Sequence, residues 1–205
     1  LASTLVNIVS LFIFFSFLKY SRKYYIGYCI IQKIQIIYTK PLYTLILLLE
    51  ANMLEVGNKA PSFTLMGDDG KEYSLEEYKG KKVLLYFYPK DNTPGCTKEA
   101  CSLRDWNSEI IKRGVTIMGV SKDSIQSHNK FREKHGLNFI LLSDPDKTVH
   151  MAYGAWGEKK LYGKISLGTI RMTFLIDENG NIEKIWNKVA VATHGEDVVK
   201  YLDKE

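Results

Sequence analysis

Residues 53–205 read as one alternating α/β domain, with a central mixed β-sheet flanked by helices and preceded by an N-terminal β-hairpin. Three observations predict it. Short continuous apolar runs at 83–88, 115–120 and 139–142 have the length and character of buried strands. Helix-compatible stretches with start and stop residues separate these runs, which is the alternation expected of an α/β fold. Asn179-Gly180, set between two further apolar runs, marks a hairpin turn close to the C-terminus. About 150 residues is ample for one hydrophobic core, and no internal repeat is evident.

Each element has its own cue. A hairpin around Phe63–Tyr73 comes first. Val83-Leu84-Leu85-Tyr86-Phe87-Tyr88 is an aromatic-rich strand ended by Pro89, and a helix follows to about Lys112. Val115 to Val120 is a second strand. Ser124 caps a helix carrying Ile125, His128 and Phe131, which Gly136 stops. Phe139 to Leu142 is a third strand, and Asp146 to Tyr153 a short helix ended by Gly154. Met172 to Ile176 and Ile182 to Trp186 flank the Asn-Gly turn. A last helix begins near Gly195 and carries Val198, Val199 and Leu202.

The chemistry concentrates at the first strand-to-helix junction, Pro89-Lys90-Asp91-Asn92-Thr93-Pro94-Gly95-Cys96-Thr97-Lys98-Glu99-Ala100-Cys101. Asp91, Asn92, Pro94 and Gly95 turn the chain. Thr93 is a good N-cap, Pro94 suits the first helical position, and Cys96 falls third, where a capping box has Glu or Gln. A sulfur placed there faces unpaired backbone N–H groups and the positive end of the helix dipole, and both favour thiolate over thiol. An ordinary buried cysteine is the alternative reading. Cys101 lies five helical residues further, about 7.5 Å along the axis and about 140° around it. That exceeds the Cα separation of about 4.4–6.8 Å that a disulfide needs. The two thiols can join only if the first turns of the helix unwind, which suits a transient bond and a resolving role rather than a structural one. A metal site is disfavoured, because Cys29, His128, His135, His150 and His194 are scattered.

Pro89-x-x-x-Thr93-x-x-Cys96 resembles the peroxidatic motif of the peroxiredoxins, and a second cysteine five residues on resembles their atypical two-cysteine branch, peroxiredoxin Q or bacterioferritin comigratory protein. Gly57-Asn58-Lys59-Ala60-Pro61-Ser62-Phe63, Ser121-Lys122-Asp123-Ser124 and Arg171-Met172-Thr173-Phe174-Leu175-Ile176-Asp177 extend the similarity from about Met53 to the C-terminus. The resemblance implies a thioredoxin-like fold, whose order the elements above follow. It implies that Cys96 is the peroxidatic nucleophile, Cys101 the resolving cysteine, Thr93 the residue orienting peroxide and Pro89 a shield for the sulfenate. Arg171 would stabilise the thiolate and the charge developing on oxygen, and Glu99 would brace that arginine. Each also has a plainer reading: Thr93 as cap, Pro89 as strand end, Glu99 as a first-turn acid favoured by the helix dipole, Arg171 as a surface strand residue.

Activity, cofactors and partners follow from the same resemblance. It implies a thioredoxin-dependent peroxidase acting on hydrogen peroxide and alkyl hydroperoxides, with no metal or organic cofactor and with a monomer as the default state. Antioxidant defence and redox homeostasis would be its role. A non-enzymatic peroxide sensor, relaying oxidation to a partner protein, is the main rival. A general disulfide oxidoreductase is weakened by the lack of Cys-x-x-Cys. Two cysteines poised for a cycle suit a reducing cytosol.

Residues 1–52 stand apart as a hydrophobic, basic extension. They hold Lys19, Arg22, Lys23, Lys33 and Lys40 against Glu50 alone, a net +4, which leaves +1 of the whole chain's +5 for the remainder. The basic balance therefore belongs to the extension and gives no argument for nucleic acid. The segment is expected to be sequence upstream of a start at Met53, its Ile/Lys/Tyr/Phe-rich composition matching AT-rich DNA. A membrane anchor through residues 1–18, which carry no charge, is the alternative. As a secretory signal peptide it lacks a basic n-region and a convincing cleavage site. Cys29 has no assigned role.

Overall fold

The computed structural model describes residues 54–161 and 164–204. The elements run β1 (Thr64–Gly67), β2 (Glu72–Ser74), a 3-10 turn (Leu75–Tyr78), β3 (Lys82–Phe87), α1 (Pro94–Lys112), β4 (Val115–Ser121) and α2 (Ile125–His135). They continue as β5 (Ile140–Ser143), α3 (Thr148–Ala152), β6 (Trp156–Leu161), β7 (Lys164–Thr169), β8 (Met172–Ile176), β9 (Ile182–Trp186) and α4 (His194–Leu202). Seven strands form one mixed sheet in the order β2-β1-β5-β4-β3-β8-β9. β4 pairs in parallel with both β3 and β5, whereas β1, β2, β8 and β9 pair antiparallel with their neighbours.

β3 is apolar from Val83 onward because both its faces are covered. Successive side chains alternate between faces. Leu84 and Tyr86 join a core with Leu103 and Ile110 of α1, Phe131 of α2 and Val198 of α4. Val83, Leu85 and Phe87 join a second core with Phe174, Val149 of α3 and Phe63. A strand buried on both sides reads as a continuous hydrophobic run, which is why it was legible in the sequence.

The helix ends follow local chemistry. Ser124 Oγ accepts the Ser127 N–H at the start of α2, and Gly136 closes that helix in the left-handed conformation at φ 58°. α3 is shorter than the Asp146–Tyr153 expected. Lys147 takes a left-handed backbone at φ 62°, and Asp144 supplies the cap instead, accepting the Thr148 hydroxyl at 3.2 Å and the His150 N–H at 2.9 Å. The β6–β7 hairpin was not expected; it forms a separate two-stranded sheet between α3 and β8.

α4 lies against α1 at close quarters. Its Gly195 N–H donates to Ser102 Oγ at 3.0 Å, and a Cβ on Gly195 would sit 2.4 Å from the Ser102 carbonyl oxygen. Only glycine permits that approach. Among the described residues, no helix is long and apolar enough to cross a membrane. The extension readings, including an anchor at residues 1–18, lie outside the described residues.

Candidate active site at the start of the first long helix

The site forms where β3 ends. In an α/β sheet the carboxyl ends of parallel strands face the N-termini of the following helices, and small ligands collect there. Pro94 and Gly95 occupy the first two positions of α1 and Cys96 the third. The first intrahelical bond runs from Thr97 N–H to the Thr93 carbonyl at 2.8 Å, so the Gly95 and Cys96 amides have no acceptor within the helix. Thr93 holds the cap position by its extended backbone, but its side chain does not cap. Its hydroxyl donates instead to the Lys90 carbonyl at 3.1 Å. The expected capping-box geometry is therefore absent, and the amides at the helix start stay free for an incoming oxygen.

Arg171 arrives by sheet topology. β8 runs antiparallel to β3 with Met172 opposite Phe87, so the residue before β8 emerges at the end where α1 begins. Arg171 Nη2 lies 3.2 Å from Cys96 Sγ, and Nη1 makes an ion pair with Glu99. Glu99 follows Cys96 by three residues and so shares its face of the helix. Its carboxylate is fully buried, and Oε1 has no hydrogen-bond partner among the described residues. Cys96 is 2% exposed and Arg171 remains one-fifth exposed, so the sulfur is enclosed while the cation reaches solvent.

The wall behind the sulfur is aromatic. Tyr86 is wholly buried, stacks on Tyr88 at 5.4 Å, and its hydroxyl has no hydrogen-bond partner among the described residues. Burial, then negative charge at Cys96 and Asp91, pushes that phenol well above its ordinary range. A Cβ on Gly119 would meet the Tyr86 ring and hydroxyl at 2.7 Å, so glycine leaves the room this phenol occupies.

The structure thus brings together Cys96, Arg171 and Glu99, with Thr93 and Pro89 on the adjoining loop. Cys101 is a free, half-buried thiol further along α1. No histidine hydrogen-bonds to either cysteine among the described residues: His128 pairs with Asp91, His135 with Asn92, His150 with Asp144 and His194 with Thr173. Nor do three His, Cys, Asp or Glu side chains group there as metal ligands would. The sequence marks Asp91 only as a turn residue, whereas the structure buries it and hydrogen-bonds it through both carboxylate oxygens.

Residues 56–185 match the AhpC/TSA family. The chain belongs to the AhpC/TSA family. Its relatives place it with the peroxiredoxins of the Bcp or peroxiredoxin Q type. A putative peroxiredoxin bcp of Coxiella burnetii is 54% identical over 146 residues, 71% of this chain and 97% of that relative. Peroxiredoxin Bcp of Bacillus subtilis is 48% identical over 141 residues, 69% of this chain and 90% of that relative. Peroxiredoxin Q of Xanthomonas campestris superposes with a TM-score of 0.67 at 38% identity, over 74% of this chain and 96% of that one. A second structure from that organism, of its bacterioferritin comigratory protein, is described for alkyl peroxide reduction activity. It has 37% identity and a TM-score of 0.67, over the same 74% and 96%. The thioredoxin-like peroxiredoxin fold is thereby established, and this peroxiredoxin is a peroxidase, an oxidoreductase.

Proposed function

We propose that this peroxiredoxin is a thioredoxin-dependent thiol peroxidase that reduces hydrogen peroxide and organic hydroperoxides through Cys96 and Cys101. The observation that carries the reading is the Arg171 guanidinium 3.2 Å from Cys96 Sγ, at a helix start with free amides. A cation and N–H donors at that place stabilise the oxyanion that leaves when the sulfur attacks a peroxide.

The Cys96 thiolate attacks one oxygen of the O–O bond. The S–O bond forms as the O–O bond breaks, and the departing hydroxide or alkoxide takes a proton to leave as water or alcohol. Cys96 becomes a sulfenic acid. Thr93 orients the peroxide, Pro89 shields the sulfenate, and Glu99 holds Arg171 through its second nitrogen. Cys101 then attacks the Cys96 sulfur and expels water, closing a disulfide. For this step the first turns of α1 open. Their start lacks a side-chain cap and carries a helix-weakening glycine, both of which favour opening. Thioredoxin, as a dithiol, reduces the disulfide by exchange and returns both thiols. Neither metal nor organic cofactor enters the cycle. The protein works as a monomer in a reducing cytosol, where thioredoxin is available.

The test is peroxide-dependent NADPH oxidation through thioredoxin and thioredoxin reductase, with wild type and Cys96→Ser. Turnover that vanishes in the variant supports the reading. Stoichiometric oxidation without turnover would favour a relay that hands oxidation to a partner protein.

A further inference from the structure

Asp91 lies between Pro89 and Thr93 on a loop whose neighbours Lys90 and Asn92 face solvent, yet Asp91 itself is only 5% exposed. Its carboxylate is fully engaged. Oδ1 accepts the Tyr88 hydroxyl at 2.7 Å, and Oδ2 accepts the Ser127 hydroxyl at 2.7 Å and the His128 Nδ1–H at 2.9 Å. The Asp91 N–H donates to Asp123 Oδ2 at 2.7 Å. Asp123 is held in turn, its N–H donating to Ser121 Oγ at 3.0 Å and its carbonyl accepting the Ser143 hydroxyl at 2.7 Å. Burial alone would raise the Asp91 carboxyl. The hydrogen bond and charge of His128, with Ser127 and Tyr88, outweigh it and hold the pKa below the ordinary value.

A turn needs far less than this. Asp and Asn make turns with the carboxamide or carboxylate in solvent, whereas a buried carboxylate is tolerated only when its acceptors are satisfied. The partners come from the end of β3, the end of β4, the first turn of α2 and β5; none comes from α1. Asn92 then takes a left-handed backbone at φ 57°, and the Thr93 hydroxyl ties back to Lys90. The two halves of the site thus hang on different anchors. Pro89 and Thr93 flank Asp91, which is fastened to the β4–α2 junction, and Cys96 rides on α1. The first intrahelical bond of α1, from the Thr97 N–H to the Thr93 carbonyl, joins the two.

We infer that Asp91, held by His128, Ser127 and Tyr88, is a positioning residue for the peroxide. It fixes the Pro89–Thr93 wall against α2 and keeps that wall in place while the first turn of α1 opens for resolution. The inference rests on the peroxidase cycle proposed above, and it assigns the attack and resolution steps to separately supported parts of the structure.

Quenched-flow mass analysis of the full chain with hydrogen peroxide separates the two steps: oxidation of Cys96, then disulfide closure. Asp91→Asn is expected to lower the second-order rate constant of the first step by about tenfold or more, the scale on which small misplacements act. Ser127→Ala lowers it less, and His128→Asn, which keeps a donor where Nδ1 stands, stays closer to wild type than His128→Leu. Disulfide closure keeps its wild-type rate in each. A merely structural role would slow both steps together. That result, or an unchanged first step in folded Asp91→Asn and Ser127→Ala, overturns the inference; should Asp91→Asn fail to fold, Ser127→Ala and the His128 pair decide. Wild type that consumes no peroxide through Cys96 would overturn the cycle itself, and the inference with it.

Discussion

Arg171 stands between Cys96 and Glu99, with Nη2 3.2 Å from the sulfur and Nη1 ion-paired to the buried carboxylate. The pairing fixes the guanidinium plane, so the nitrogen facing sulfur is placed by the acid on the other arm. Arg171→Met is therefore expected to slow Cys96 oxidation by about 10²–10³-fold, the usual cost of one donor at a developing oxyanion. Arg171→Lys should recover little, since an ammonium cannot bridge both partners. Glu99→Gln should cost less than Arg171→Met. Peroxide competition kinetics would measure all three.

Gly95 offers a way to tune the second step. A Cβ there would meet only Arg171 Nη2, at 3.6 Å, an ordinary contact. Gly95→Ala should stabilise the first turn of α1 by about 1 kcal/mol, and so slow disulfide closure about fivefold. The expected signature is greater overoxidation of Cys96 at high peroxide, read by intact mass.

Gly195 makes the opposite kind of prediction. Its absent side chain lets α4 approach the Ser102 carbonyl, and a Cβ would fall 2.4 Å from that backbone atom. Gly195→Ala must push the helices apart, at an overpacking cost of about 1–3 kcal/mol. A lowered denaturation midpoint in urea is the measurement.

His194 links stability to pH. Burial, opposed by Asp197 and aided by Arg171, lowers its pKa to about 4. Between about 4 and the free value of about 6.5 the unfolded chain binds a proton there that the folded chain does not. Its contribution is fully present above that upper value and is lost as pH falls through the window. Urea titrations should show about 2 kcal/mol less stability at pH 5 than at pH 7, with a shallower dependence in His194→Gln.

How far the sequence reached depends on whether each cue was local. β3, α1 and α2 were legible because a doubly buried strand is a continuous apolar run and because Pro94, Ser124 and Gly136 punctuate their helices. The β8–β9 hairpin was legible from Asn179-Gly180, and Gly180 indeed takes φ 77°. The β6–β7 hairpin escaped because it carries no unbroken apolar run and joins no core strand. The sequence predicts a longer α3 than the structure has because its cap comes from Asp144, outside the helix-compatible stretch. Cys96, Arg171 and Glu99 were named from motif positions, and the sheet register explains how residues 75 apart meet. Asp91 could be read only as a turn, since its partners Ser127 and His128 lie 36 and 37 residues away.

The central claim is that peroxide oxidises Cys96 and that Cys101 resolves it. Its most direct test is intact-mass and peptide analysis after one equivalent of hydrogen peroxide, for wild type, Cys101→Ser and Cys96→Ser. The account predicts that wild type loses two hydrogens and yields a Cys96–Cys101 linked peptide. Cys101→Ser should gain one oxygen on Cys96, and Cys96→Ser should stay unmodified. Oxidation of Cys101 in the absence of Cys96, or a wild-type Cys96 left reduced, would contradict it.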